Sequence, residues 1–245
     1  MDQEQIGLFT SDEKGHGPMA DIIRPTTLDR FIGQNQVLQR IKNLKMDALP
    51  HIVFFGPPGC GKTTIAHILA HKSKQKLYQF NAVLGGVNDL RKIIKEAQLL
   101  SETGGEKSII FIDEIHRFNK GQQDALLPYL EKGDFTLFGA TTENPNTTLN
   151  KAILSRVQRW RLTPLEVNEV QKILLNCVNE QDIPFKSELT QYLAEHSNGD
   201  ARSAINQMEV IIQNLDQIQD LALEDIIQTY LFDNRRYDKN SERHY

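Results

Sequence analysis

The chain has 245 residues, 39% apolar and 24% charged, with a net charge of −4. That composition suits a globular protein with a sizeable core and gives no bulk attraction to nucleic acid, so any such contact must come from a local patch or from several subunits together. No stretch approaches the roughly 18 apolar residues of a membrane helix, the acidic start Met1-Asp2-Gln3-Glu4-Gln5 is wrong for a secretory signal, and the two cysteines, Cys60 and Cys177, lack metal spacing and fit a reducing interior such as the cytoplasm.

Residues 1–20 are polar and glycine-rich and are expected to form a flexible arm. One patch in it, Gln5-Ile6-Gly7-Leu8-Phe9, is apolar. From about residue 50, strands and helices alternate. His51–Phe55 reads as a buried strand, followed by Gly56-Pro57-Pro58-Gly59 and a helix from Lys62 to about Lys72. Lys76–Asn81 is a second strand. Val87–Leu100 has helical spacing through Val87, Leu90, Ile94, Ala97 and Leu100. Ser108–Ile112 is a continuous apolar strand, Gln122–Leu130 a helix and Phe135–Ala140 a further strand. Apolar strands separated by helices imply an α/β fold, with a parallel sheet covered on both faces. After Pro164 only helices are expected: Glu166–Glu180, Ser187–His196, Arg202–Leu215 and Leu223–Tyr230. The division is therefore an arm (1–20), an α/β domain (21–163), a small helical domain (164–231) and a polar, charged stretch (232–245).

The segment Gly56-Pro57-Pro58-Gly59-Cys60-Gly61-Lys62-Thr63, followed by Thr64, matches GxxxxGK[ST] at every fixed position, with a strand before it and a helix after it. Glycines let such a loop curl its backbone N–H groups toward phosphate oxygens, and the helix start adds its positive dipole end. Lys62 can reach the β- and γ-phosphates of ATP, and the Thr63 hydroxyl can ligate Mg²⁺. The run Ile109-Ile110-Phe111-Ile112-Asp113-Glu114 delivers two carboxylates to a strand tip. Asp113 is the candidate for the magnesium shell and Glu114 for the general base on the attacking water; as a plain alternative, such a pair can serve as a helix N-cap. The strand Phe135–Ala140 is followed by Thr141-Thr142-Glu143-Asn144, where Thr142 can touch the γ-phosphate or orient the water, or belong to a Thr/Asn-rich turn.

These residues resemble the AAA+ ATPases, and within them the RarA/MgsA group of replication-associated recombination proteins, whose eukaryotic relative is the Werner-helicase-interacting protein. The resemblance is carried by Arg24-Pro25, Phe31-Ile32-Gly33-Gln34, Gly56–Thr64, the run Asp113 to Lys120 with its His116-Arg117-Phe118-Asn119, Gly139 to Pro145, Leu154-Ser155-Arg156 and Gly199-Asp200-Ala201-Arg202. It covers residues 20–245 and implies a P-loop AAA+ sheet followed by an all-helical lid. It also implies roles that spacing does not give. Asn81 matches a polar switch that restrains Glu114, with a strand-end turn as its plain alternative. Thr142 matches sensor 1. Arg156 matches an arginine finger acting on a neighbouring subunit. Arg202 matches sensor 2, its alternative being a helix cap against Asp200. Ile23, Arg24 and Ile32 match the segment that wraps the adenine.

The resemblance further implies a DNA-dependent ATPase acting in replication-fork maintenance, recombination and repair. Its partners would be single-stranded, gapped or forked DNA and single-stranded DNA-binding protein, and its location bacterial, cytoplasmic and nucleoid-associated. Members of the group carry a C-terminal domain that drives homo-oligomerisation. Residues 232–245 resemble the lead-in to it, so the chain as it stands is expected to associate weakly and hydrolyse ATP poorly. Gln5, Leu8 and Phe9 fit the QxxLF pattern with which bacterial replication proteins bind the sliding clamp; the alternative is a patch folding back on the ATPase domain. The competing readings are a clamp-loader subunit, a Holliday-junction branch-migration motor, and a scaffold that binds ATP with little hydrolysis. Val157 after Arg156 and the intact Asp113-Glu114 pair weigh against the first and the last.

Overall fold

The computed structural model describes residues 17–103, 107–218 and 221–231. Within it the chain divides into two compact units, residues 24–164 and residues 17–23 together with 165–231. A short helix, α1 (Met19–Ile22), opens the described chain. The first unit follows with α2 (Asn35–Lys42), β1 (Ile52–Phe55), α3 (Lys62–Ser73), β2 (Leu77–Asn81), α4 (Val87–Glu102), β3 (Ser108–Asp113), α5 (Lys120–Lys132) and β4 (Phe135–Thr141). It closes with the short helices α6 (Pro145–Thr148) and α7 (Lys151–Leu154) and with β5 (Gln158–Arg161).

The five strands are all parallel, in the order β2-β3-β4-β1-β5. Side chains alternate across a strand, so a sheet covered on both faces needs apolar residues at every position. That is what β1, β3 and β4 supply. Ile52, Phe54, Ile109, Phe111, Phe138 and Ala140 point to one face, where they join Ile65, Ile68 and Leu69 of α3 and Val37 and Ile41 of α2. Val53, Ile110, Ile112 and Leu137 point to the other, with Leu90, Ile94 and Ala97 of α4 and Leu126 and Leu130 of α5. Phe54 packs edge-on against Phe138 (5.6 Å) and Trp160 (5.9 Å), a favoured aromatic geometry. Two elements differ from the sequence-based expectation by their presence. One is β5, whose Gln158, Arg159 and Arg161 are exposed and whose Trp160 alone is buried. The other is α2, an amphipathic helix with Val37 and Ile41 inward.

The second unit is helical: α8 (Val167–Glu180), α9 (Ser187–His196), α10 (Ala201–Ile212), α11 (Leu215–Ile218) and α12 (Leu223–Ile226). Its core includes Val170, Leu174, Leu189, Leu193, Ala204, Met208 and Ile211. Three expectations are corrected here. The single helix expected over Arg202–Leu215 stops at Ile212, and α11 is separate. The helix expected to Tyr230 is α-helical only to Ile226 and ends in a wider π-type turn, Ile227–Leu231. Residues 17–23, read as arm and α/β domain, pack with the helices instead. Met19 is buried in their core, and its N–H donates to both Glu209 carboxylate oxygens at 3.3 Å.

Candidate nucleotide-binding and hydrolysis site

All five strands run the same way, so their C-terminal tips share one edge of the sheet, the edge at which parallel α/β sheets bind ligands. Backbone hydrogen bonds stitch these tips together. Gly56 N–H donates to Thr141 O (3.2 Å), Ala82 N–H to Asp113 O (3.0 Å) and Leu162 N–H to Phe55 O (2.8 Å). The loop after β1, the carboxylates after β3 and the threonines after β4 therefore form one row, with β4 between the other two strands.

The loop from Gly56 to Gly61 is shaped by what lies behind it. Gly56 has φ +152°, and a Cβ there would stand 2.3 Å from Leu162 O. Gly61 has φ +100°, and its Cβ would stand 2.8 Å from the Phe31 ring. Both positions demand glycine. The α3 helix begins at Lys62 with no side chain capping it, which leaves its first turn of N–H groups to face the loop. Lys62 is buried, and its ammonium donates to Gly56 O (2.8 Å) and Pro57 O (2.7 Å), spanning the cradle. Pro57, Pro58, Gly59 and Cys60 complete the turn, and Thr63 and Thr64 lie half-buried on the first turn of α3. A cradle that excludes a Cβ at two points, carries an ammonium and opens onto an uncapped helix fits a polyphosphate.

Asp113 ends β3, in register with Asn81 at the end of β2. Its Oδ1 accepts the Glu114 N–H at 3.1 Å. Glu114 itself has a left-handed backbone, φ +53°, which turns the chain sharply off the strand. Its carboxylate Oε2 lies 3.3 Å from Nδ1 of His116. The two half-buried carboxylates can serve a hard cation and a water respectively.

The remaining expected residues fall in different places. The Asn81 side-chain oxygen accepts the N–H groups of Val83 (2.8 Å) and Leu84 (3.4 Å), closing a strand-end turn. Thr142 is exposed just beyond β4, while Thr141 before it is buried. Arg156 is exposed after α7; its guanidinium donates to Ala152 O (2.7 Å) and Ser155 Oγ (3.0 Å) and pairs with Glu131 of α5. Arg24 and Ile32 belong to the first unit and are half-buried, whereas Ile23 and Arg202 belong to the helical unit. Arg202 is exposed on the first turn of α10. The cap of that helix is Asp200, which accepts the Ser203 N–H at 3.0 Å. Gln5, Leu8 and Phe9 lie outside the described residues, as do residues 232–245.

Two residues gain roles that the sequence did not reveal. Gln34 starts α2 in a left-handed conformation (φ 56°) and is buried. Its amide donates to Cys60 O (3.3 Å) and Thr163 O (2.7 Å) and accepts the Thr163 N–H (3.0 Å), tying the loop to the end of β5. The signal was the Gly33-Gln34 pair ahead of a helix. The other is His116, whose ring sits among residues of two strand tips. Among the described residues no group of three or more His, Cys, Asp or Glu side chains is placed to hold a metal ion. No helix among them is long and apolar enough to cross a membrane.

The parallel sheet, the glycine cradle and the paired carboxylates define a P-loop nucleotide-binding protein of the AAA+ type. The chain belongs to the family described as the Holliday junction DNA helicase RuvB P-loop domain, whose model matches residues 23–151, and residues 179–245 match a second model, the AAA C-terminal domain. Its curated relatives include replication-associated recombination protein A of Haemophilus influenzae, 36% identical over 97% of this chain and 56% of the relative. That of Escherichia coli K12 is 38% identical over 79% and 46%, and the ATPase WRNIP1 of Dictyostelium discoideum 39% identical over 82% and 24%. The chain thus spans about half the length, or less, of these relatives. Among solved structures, the RuvB Holliday junction branch migration motor of Thermotoga maritima superposes with a TM-score of 0.69 at 29% identity, over 80% of this chain and 67% of that one.

Proposed function

We propose that this chain is the ATP-hydrolysing part of a DNA-dependent ATPase acting in replication-fork maintenance, recombination and repair. The observation that carries the reading is the row of strand tips, in which Lys62 and Thr63 follow β1, Thr142 follows β4, Asp113 ends β3 and Glu114 follows it. The backbone of Gly56–Gly61 and the Lys62 ammonium hold the triphosphate of ATP. Thr63 and Asp113 hold magnesium, which when bound neutralises charge on the β- and γ-phosphates. Glu114 takes the proton of the attacking water, and Thr142 orients that water or the γ-phosphate. Ile23, Arg24 and Ile32 flank the base, and Arg202 contacts the nucleotide of its own subunit.

Arg156 acts on the nucleotide of a neighbouring subunit. Its exposure supports this, because a guanidinium that works in trans must reach beyond its own chain. The complete protein is then a homo-oligomer, located in the bacterial cytoplasm and associated with the nucleoid. Single-stranded, gapped or forked DNA and single-stranded DNA-binding protein are its partners, with the sliding clamp bound through Gln5, Leu8 and Phe9. The names of the relatives, replication-associated recombination protein A and WRNIP1, support this over a clamp-loader subunit. The test is the ATPase rate of the complete protein alone and with forked, gapped and blunt DNA. Stimulation by forked or gapped DNA is expected; turnover indifferent to every DNA would reject DNA dependence.

A further inference from the structure

His116 lies on the turn that follows Glu114, and its side chain is 5% exposed. Three polar groups surround its ring. Nδ1 is hydrogen-bonded to Thr141 Oγ at 2.9 Å and lies 3.3 Å from Glu114 Oε2, while Nε2 lies 3.4 Å from Glu143 Oε1. Thr141 Oγ in turn accepts the Glu143 N–H at 3.0 Å, which closes a ring of contacts. Glu114 is thereby joined through one imidazole to both residues that flank Thr142.

A glutamate side chain has three rotatable bonds, and a half-buried one explores several rotamers unless something holds it. His116 lies at ion-pair distance from the Glu114 carboxylate, with Nδ1 3.3 Å from Oε2. The imidazole is itself fixed. It stands within hydrogen-bond reach of Thr141, a residue buried at the end of a central strand, and Ile115 beside it is fully buried. A rigid planar group with one nitrogen toward each carboxylate transmits position from β4 to the tip of β3.

We propose that His116 is a positioning residue for hydrolysis, holding the Glu114 carboxylate in one orientation and coupling it to the Thr141-Thr142-Glu143 tip of β4. It acts through Glu114 and touches no nucleotide. The inference rests on the reading of Glu114 as the general base, and the experiment separates the two.

The experiment measures kcat and KM for ATP, and the dissociation constant of a fluorescent ATP analogue, for the complete protein and for His116→Ala, His116→Asn, Glu114→Gln and the double variant His116→Ala/Glu114→Gln. Loss of sub-ångström placement of a catalytic group costs on the order of 10- to 100-fold in rate. His116→Ala is therefore expected to lower kcat by about that factor while analogue affinity stays within roughly twofold of wild type. Asn, whose amide can replace Nδ1, should restore part of the rate. The double variant should be no slower than Glu114→Gln alone, because the two residues act as a unit. An unchanged kcat in His116→Ala, or a further loss on top of Glu114→Gln, overturns the proposal. Unchanged turnover in Glu114→Gln overturns the general-base reading instead. A readout that needs no turnover is the ¹⁵N resonance of His116 Nδ1. It should move when Glu114 becomes Gln, and a resonance that stays in place overturns the contact itself.

Discussion

The backbone N–H of Gly56 donates to the carbonyl of Thr141 at 3.2 Å, so the first residue of the phosphate loop is fastened to the last residue of β4. The opposite side of Gly56 is closed by Leu162, whose carbonyl oxygen would stand 2.3 Å from any Cβ added there. Neither neighbour is a flexible side-chain end. A Gly56→Ala chain must shift the backbone of β5 or of the loop, in a conformation L-residues rarely adopt. The expected outcome is a loss of about 1–3 kcal/mol of stability, read as a lower denaturant midpoint, with weakened ATP-analogue binding. An alanine variant of wild-type stability would mean that the loop lies further from Leu162.

Lys62 spans the same loop through Gly56 O and Pro57 O. Replacing it with Met keeps the aliphatic stem but removes the ammonium. Wild-type protein should gain thermal stability as ATP and Mg²⁺ are added, because a ligand that binds only the folded state stabilises it by mass action. Lys62→Met should lose most of that gain, which a thermal shift titration measures. A full ATP-dependent gain in the variant would contradict the assignment of Lys62 to the phosphates.

Arg156 is held by Glu131 at the surface of its own chain. If it serves a neighbour's site, hybrid oligomers should reveal it. Arg156→Ala and Glu114→Gln are each expected to be nearly inactive, since a guanidinium supplied in trans contributes about 10³–10⁵ in rate. Mixed together, they should regain activity at interfaces that pair an intact Arg156 with an intact Glu114. A mixture no more active than its parts would exclude action in trans.

His51 supplies a pH dependence unrelated to the site. Burial pushes its pKa below the ordinary 6.5, opposed by a backbone hydrogen bond with Leu130 and reinforced by the charge of Lys107. Its Nδ1 accepts the Leu137 N–H at 2.9 Å, a bond that needs the neutral ring. With the folded pKa depressed, the unfolded chain binds more protons below pH 6.5, so stability is full above that value and declines as pH falls toward the folded pKa. The urea midpoint should fall between pH 7.5 and 5.5, and fall less in His51→Asn. An equal fall in both would assign the effect to other groups.

The legible parts of this molecule were those in which function or burial forces consecutive residues. β1, β3 and β4 are buried on both faces and so read as apolar runs, and the loop Gly56–Thr64 is dictated by phosphate geometry. β5 was not legible because it is an edge strand whose only buried side chain is Trp160, and β propensity cannot be read from one residue in four. The attachment of residues 17–23 to the helical unit depends on Met19 meeting Glu209, far along the chain. His116 illustrates the same limit within the site. The motif around it was visible, but its contacts with Thr141 and Glu143 arise only because β3 and β4 pair in parallel and bring their tips together. Asn81 shows local turn chemistry at a strand end, its side-chain oxygen accepting the N–H groups of Val83 and Leu84.

The proposed role of Glu114 is that of the base that drives ATP hydrolysis on this phosphate loop. It is tested most directly by Glu114→Gln, which keeps the size and hydrogen-bonding capacity of the side chain and removes its basicity. Steady-state turnover of ATP should fall by at least about 100-fold, while the dissociation constant for ATP stays within a few-fold of wild type. Unchanged turnover in Glu114→Gln, with ATP bound as before, would contradict the account.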